Sequence, residues 1–215
     1  MAVNPLKIYC KTNGEWTIVI EQVVTKKSPR NIILEHFKTE LPISGGWGYT
    51  KDDACIINKN DPIVDPTVPF DGVAIEYVFA GKRIYEELII FRPQGHAFSD
   101  IGWKLLQQQF TSDEDKAYDK LTFEIWAFPD KDWQELKGEW EGPNGHGSLN
   151  FDIAVHEKKR QEKLVRFTRE FWFDITSFYG QGVVITDRET GEKTLFPPES
   201  FKFTDKAKKL FGIDE

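Results

Sequence analysis

Four histidines, His36, His96, His146 and His156, are the side chains best suited to proton transfer near neutral pH. No two of them have the i, i+4 or short-loop spacing of a zinc site, so neither a metal nor a cofactor is expected. His146 stands between glycines in Pro143-Asn144-Gly145-His146-Gly147-Ser148, which leaves its imidazole accessible. Ser148 and Asp152 follow closely, and His146 with Asp152 is the catalytic pair that a small hydrolase would use. A solvated loop histidine accounts for the same residues.

The loop Ser44-Gly45-Gly46-Trp47-Gly48-Tyr49 is the second place where chemistry could sit. Its glycines would let backbone approach a ligand while Trp47 and Tyr49 stack on a ring. It lacks the Gly-Lys-Ser/Thr of a phosphate loop and the spacing of a dinucleotide fingerprint. The alternative is a turn whose aromatics plug a sheet edge. Carboxylates are plentiful, at Asp52-Asp53, Glu86-Glu87, Asp113-Glu114-Asp115 and Asp130/Asp132. Nothing in the sequence brings two of them to a defined separation. Asn58 to Asp61 with Asp65 lacks the glycine and distal glutamate of a calcium loop. Serine-nucleophile and kinase signatures are missing, and no residue pattern identifies a family.

Charge narrows the choice of partner. The chain has 28 Lys and Arg against 35 Asp and Glu, a net −7, which repels polyanions and makes nucleic acid an unlikely ligand. One segment runs the other way: Lys158, Lys159, Arg160, Lys163, Arg166 and Arg169 are accompanied only by Glu157 and Glu162. Solvation and pairing with neighbouring acids explain such a face, and binding to RNA phosphates is the competing explanation. Cys10 and Cys55 stand far apart, giving neither a disulfide framework nor a zinc module, and read as two buried free thiols. The start of the chain lacks the profile of a signal peptide and no apolar run is long enough to span a membrane, so a cytoplasmic protein is expected.

The elements that must position these residues follow from periodicity. Lys7–Cys10 and Trp16–Val24 flank Asn13-Gly14, a hairpin turn pair. Asn31–Phe37 is β-branched enough for a third strand. Turn formers dominate 41–72 around one short apolar run, Ala54–Ile57. Val73–Ala80 and Arg83–Phe91, apolar on all sides, read as a buried hairpin. Ser99 is placed to cap a helix carrying Trp103, Leu106 and Phe110 on one stripe. Alternation at Leu121, Phe123, Ile125 and Ala127 predicts a strand closed by Pro129, and Asp130 a helix ended by Gly142. The strongest pattern is a long amphipathic helix over about 156–179, because a strand register there would bury Arg169. Val183–Thr186 and Lys193–Phe196 predict a last hairpin, and Thr204 a C-terminal helix.

These elements describe one α+β domain over 1–215, mainly an antiparallel sheet of hairpin-connected strands with the 156–179 helix packed on it. With 17 Phe, 7 Trp and 6 Tyr the chain has ample material for a core and for interface anchors. The expectation is a non-enzymatic protein-binding module, of the immunity or inhibitor kind, masking a basic partner such as a toxin domain. Trp47 and Tyr49 would be its exposed anchors and Asp52, Asp53, Asp61 and Asp65 its charged rim. The enzyme alternative places a site near the Gly45–Tyr49 loop and His146. Oligomeric state is not readable from the sequence.

Overall fold

A computed structural model describes residues 22–180 apart from 114, together with the backbone of four short strands at 8–10, 16–18, 183–186 and 193–196. The N-terminal pair, β1 (Ile8–Cys10) and β2 (Trp16–Ile18), is antiparallel with Cys10 opposite Trp16. The C-terminal pair, β8 (Val183–Thr186) and β9 (Lys193–Phe196), is an antiparallel hairpin as expected. The expected helix after Thr204 and the side chain of Cys10 lie outside the described residues. Cys55 is buried as a free thiol, and burial pushes its ionisation up.

The fold is α+β, with an open five-stranded mixed sheet. Its strands are β3 (Ile43–Gly45), β4 (Cys55–Ile57), β5 (Phe98–Asp113), β6 (Lys116–Pro129) and β7 (Val165–Asp174), in the order β3-β4-β7-β6-β5. β3 and β4 are antiparallel, but β4 and β7 are parallel, with Cys55 beside Phe173. Hairpin connection therefore describes only part of the sheet. Among the described residues four α-helices accompany it: α1 (Pro29–Phe37), α2 (Gly72–Tyr85), α3 (Asp130–Glu141) and α4 (Ile153–Lys163).

Three expected elements change type. Asn31–Phe37 is helix, because Ser28 accepts a hydrogen bond from the Asn31 amide, Pro29 supplies a preset φ, and Lys38 closes the last turn in a left-handed conformation. The 73–91 segment is α2 followed by a π-helical turn, Glu86–Ile90, rather than a hairpin. A helix buried all round and a buried strand share one apolar signature. The residues from Ser99 are strand β5, and the Ser99 hydroxyl donates to Asp130 instead of capping a helix.

The expected 156–179 helix holds only over 156–163. Asp152 caps α4 by accepting from the Val155 amide, and helix runs to Lys163. From Val165 the chain is β7, whose alternation buries Phe171 and Phe173 completely. Arg169, whose burial argued against a strand, reaches Glu87 Oε2 at 3.3 Å and stays partly exposed. A carboxylate eighty residues away thus removes the penalty that the local pattern implied.

The described residues separate into two compact units, one built from 84–103 and 123–169, the other from 25–83, 104–122 and 170–180. The first has Leu88, Phe98, Phe123, Ile125, Phe128 and Leu136 at its centre. In the second, Phe79 packs on Trp47 at 6.0 Å and edge-on to Phe173 at 5.7 Å, above buried Cys55 and Ile57.

Candidate functional site

The glycine-aromatic loop is turned inward. Trp47 is 5% exposed, which corrects the expectation of an exposed anchor. Its carbonyl and that of Gly48 accept hydrogen bonds from Arg83 Nη1 at 3.0 and 3.2 Å. The same nitrogen reaches the Glu170 carbonyl at 3.1 Å, and Tyr49 and Phe171 present their rings 3.9 and 4.1 Å from the guanidinium. Gly48 takes φ +73°, and a Cβ there would lie 2.7 Å from the Trp172 carbonyl. Its glycine is needed for contact with the chain's own backbone, so the loop packs against the protein itself.

The expected acidic rim is mostly consumed by local structure. Asp53 accepts from the Trp47 and Tyr49 amides at 3.1 and 3.4 Å. Asp61 is paired with Arg30 at 2.6 Å and held below the usual carboxylate range by that bond. Asp65 holds a turn by accepting from Thr67, which likewise lowers it. Asp52 alone among the four is exposed without a side-chain hydrogen bond in the described residues.

His146 and Asp152 have separate jobs. Asp152 is the cap of α4, while His146 is exposed and stacks on Trp140 at 4.2 Å. Beside them α3 and α4 enclose a pocket of about 270 Å³ lined by Trp133, Leu136, Trp140, His156, Glu157 and Arg160 among others. His156 is buried there. Its Nδ1 makes no hydrogen bond and lies 3.5 Å from Glu139 Oε2. Lys159, and to a smaller extent His156, hold the Glu139 carboxyl below its ordinary range. The pairing resembles an imidazole oriented by a carboxylate, but the described residues place no nucleophilic side chain against it. They also contain no cluster of His, Cys, Asp and Glu able to hold a metal. The aromatic pocket depends on α3 meeting α4, which periodicity could not show.

Each base of the 158–169 segment faces an acid. Lys159 meets Glu139 at 2.7 Å, Lys163 meets Asp132 and Glu135 at 2.8 and 2.7 Å, and Arg160 meets Asp100 at 3.2 Å. Arg166 lies 3.7 Å from Glu124, Lys158 4.0 Å from Glu162, and Arg169 pairs with Glu87. Such pairs add little stability, yet they cancel the field that would attract phosphates.

Two sites were not anticipated. Glu76 of α2 is buried at 1%, its Oε2 has no hydrogen-bond partner, and burial with the nearby charges of Asp119 and Asp71 raises its pKa well above the ordinary value. Asp119, bonded by Gln108, is also raised by burial. A carboxyl whose folded pKa exceeds its unfolded one contributes stability that is full below about pH 4.5 and is lost as pH rises through the folded value. Melting temperature should therefore fall between pH 5 and 8. Glu76→Gln should flatten that slope and gain on the order of 1 kcal/mol at pH 8, read by thermal melts of both proteins at matched pH.

The second is the outer edge of β5. Residues 106–113 are all exposed, and no described strand pairs with β5 on that side. Leu106 and Phe110 are 49% and 47% exposed, and Phe110 stacks on Tyr179, itself exposed, at 4.4 Å. Among the described residues no helix is long and apolar enough to cross a membrane.

Comparison of the chain with protein-family models, with curated proteins and with solved structures finds no match.

Proposed function

We propose that this chain is a non-enzymatic protein-binding module that docks by strand addition along β5 rather than through the 44–71 loop. The observation that supports it is the edge at 104–113, where among the described residues no strand pairs with the outer side of β5 and two apolar side chains are exposed. Main-chain hydrogen bonds would supply affinity, and Leu106 and Phe110 specificity. An inhibitor or immunity protein masking a basic partner in the cytoplasm is one form of this reading, and the net charge of −7 favours it.

Capture from native lysate by the full tagged chain tests the docking surface. Leu106→Lys combined with Phe110→Lys should abolish capture of the partner, because both positions are exposed and their replacement spares the core. Asp52→Lys should leave it intact. Loss with Asp52→Lys and retention with the edge variant would return the interface to the loop.

The enzyme alternative draws its support from one place, the buried His156 Nδ1 beside Glu139 at the α3–α4 pocket. Hydrolysis of activated esters that disappears in both His146→Ala and His156→Ala would favour it over the binding module. Its other half, the Gly45–Tyr49 loop, belongs to the other compact unit and is packed against Arg83.

A further inference from the structure

We propose that the strand completing this edge is β5 of a second copy, paired antiparallel about a two-fold axis through Gln108. The inference rests on the strand-addition reading above and adds the identity of the occupant.

Two identical strands can pair antiparallel with closed symmetry only about an axis normal to the sheet, so that matching faces lie on the same side. An axis at residue c then sets each residue i opposite residue 2c − i. With the axis at Gln108, Leu106 lies opposite Phe110 of the second copy, and Phe110 opposite its Leu106. Both exposed apolar residues of the edge are thereby covered twice over. Moving the axis to Gln109 sets Phe110 against Gln108 and Leu106 against Ser112. Moving it to Gln107 sets Phe110 against Lys104. Only the Gln108 register satisfies the strand's own apolar pattern.

On that face Gln108 reaches the buried Asp119 and Phe110 stacks on Tyr179, so the second copy would extend contacts the strand already makes. Edge strands normally carry charges, prolines or bulges that repel a neighbour. From 104 to 112 this one reads Lys-Leu-Leu-Gln-Gln-Gln-Phe-Thr-Ser, with a single ionised residue at its end, and that Lys104 falls opposite Ser112.

Charge distinguishes the second copy from a basic partner. Two chains of net −7 repel one another through solvent, so added salt should strengthen self-pairing as the screening length shortens. It should weaken binding to a basic protein.

The full chain tests this directly. A residue on the axis faces itself, so Gln108→Cys should form a disulfide-linked dimer under mild oxidation. Gln107→Cys and Gln109→Cys should each form no covalent link alone and crosslink when mixed, since 107 faces 109. The unsubstituted chain controls for Cys10 and Cys55. Sedimentation should show a dimer that grows with salt between 50 and 500 mM NaCl and is lost at least tenfold in Leu106→Lys with Phe110→Lys, whose melting temperature stays within a few degrees of the parent. An unsubstituted chain that stays monomeric at every salt concentration, a dimer that survives the double lysine variant, or crosslinking of Gln107→Cys alone would overturn the proposal. If the chain is monomeric but the double variant still loses a protein captured from lysate, the edge serves a different partner and only the second copy is rejected. If neither changes, strand addition falls as well.

Discussion

Arg83→Ala should destabilise the protein by about 4 kcal/mol, because it removes a buried cation whose Nη1 donates to three main-chain carbonyls. Arg83 is 1% exposed, and its Nη1 serves the carbonyls of Trp47, Gly48 and Glu170. It thereby ties the loop after β3 to strand β7, two segments over a hundred residues apart. Arg83→Lys should recover only part of the loss. A lysine ammonium is a point charge without the planar face that meets Tyr49 and Phe171. Chemical denaturation of the three proteins checks the order, and an Arg83→Lys protein as stable as the parent would show that charge alone matters.

Trp47→Ala should cost about 3–5 kcal/mol of folding stability, the range for removing a buried large aromatic. Trp47 packs against Phe79 in the core of its unit, and its indole N–H has no hydrogen-bond partner. Trp47→Phe should consequently cost less than about 1.5 kcal/mol, since it keeps a ring and removes an orphan donor. Thermal melts of both variants separate a core residue from a surface anchor. A Trp47→Ala protein that melts with the parent, yet binds its partner poorly, would restore the loop as an interface.

The elements legible in the sequence are those whose determinants are local. Strand β6 carries its alternation in Leu121, Phe123, Ile125 and Ala127, and all four are buried. Asp130 to Gly142 holds a helix because Pro129 starts it and Gly142 ends it. The hairpin at 183–196 and the short strand at Cys55–Ile57 are bounded by turn residues that leave little choice. The segments that were misread have determinants elsewhere in the chain. α2 is apolar on every side although Val78 is exposed, and its buried polar Glu76 and Arg83 face groups that no local window contains. β7 tolerates Arg169 only because Glu87 meets it.

The functional residues divide along the same line. Composition by itself determined an acidic chain, without a metal or nucleotide motif, rich in aromatic side chains. Those are sums over residues and need no neighbours. Which aromatics face solvent is a property of packing: the tryptophan that looked like an anchor is enclosed by Phe79 and the loop that Arg83 holds, while Phe110, read as the inner stripe of a helix, lies exposed on a strand edge. An edge exists only where a sheet ends. The place where this one ends, at β5, is set by the order in which distant strands pair, and free-energy differences of a few kcal/mol spread over many long-range contacts decide that order.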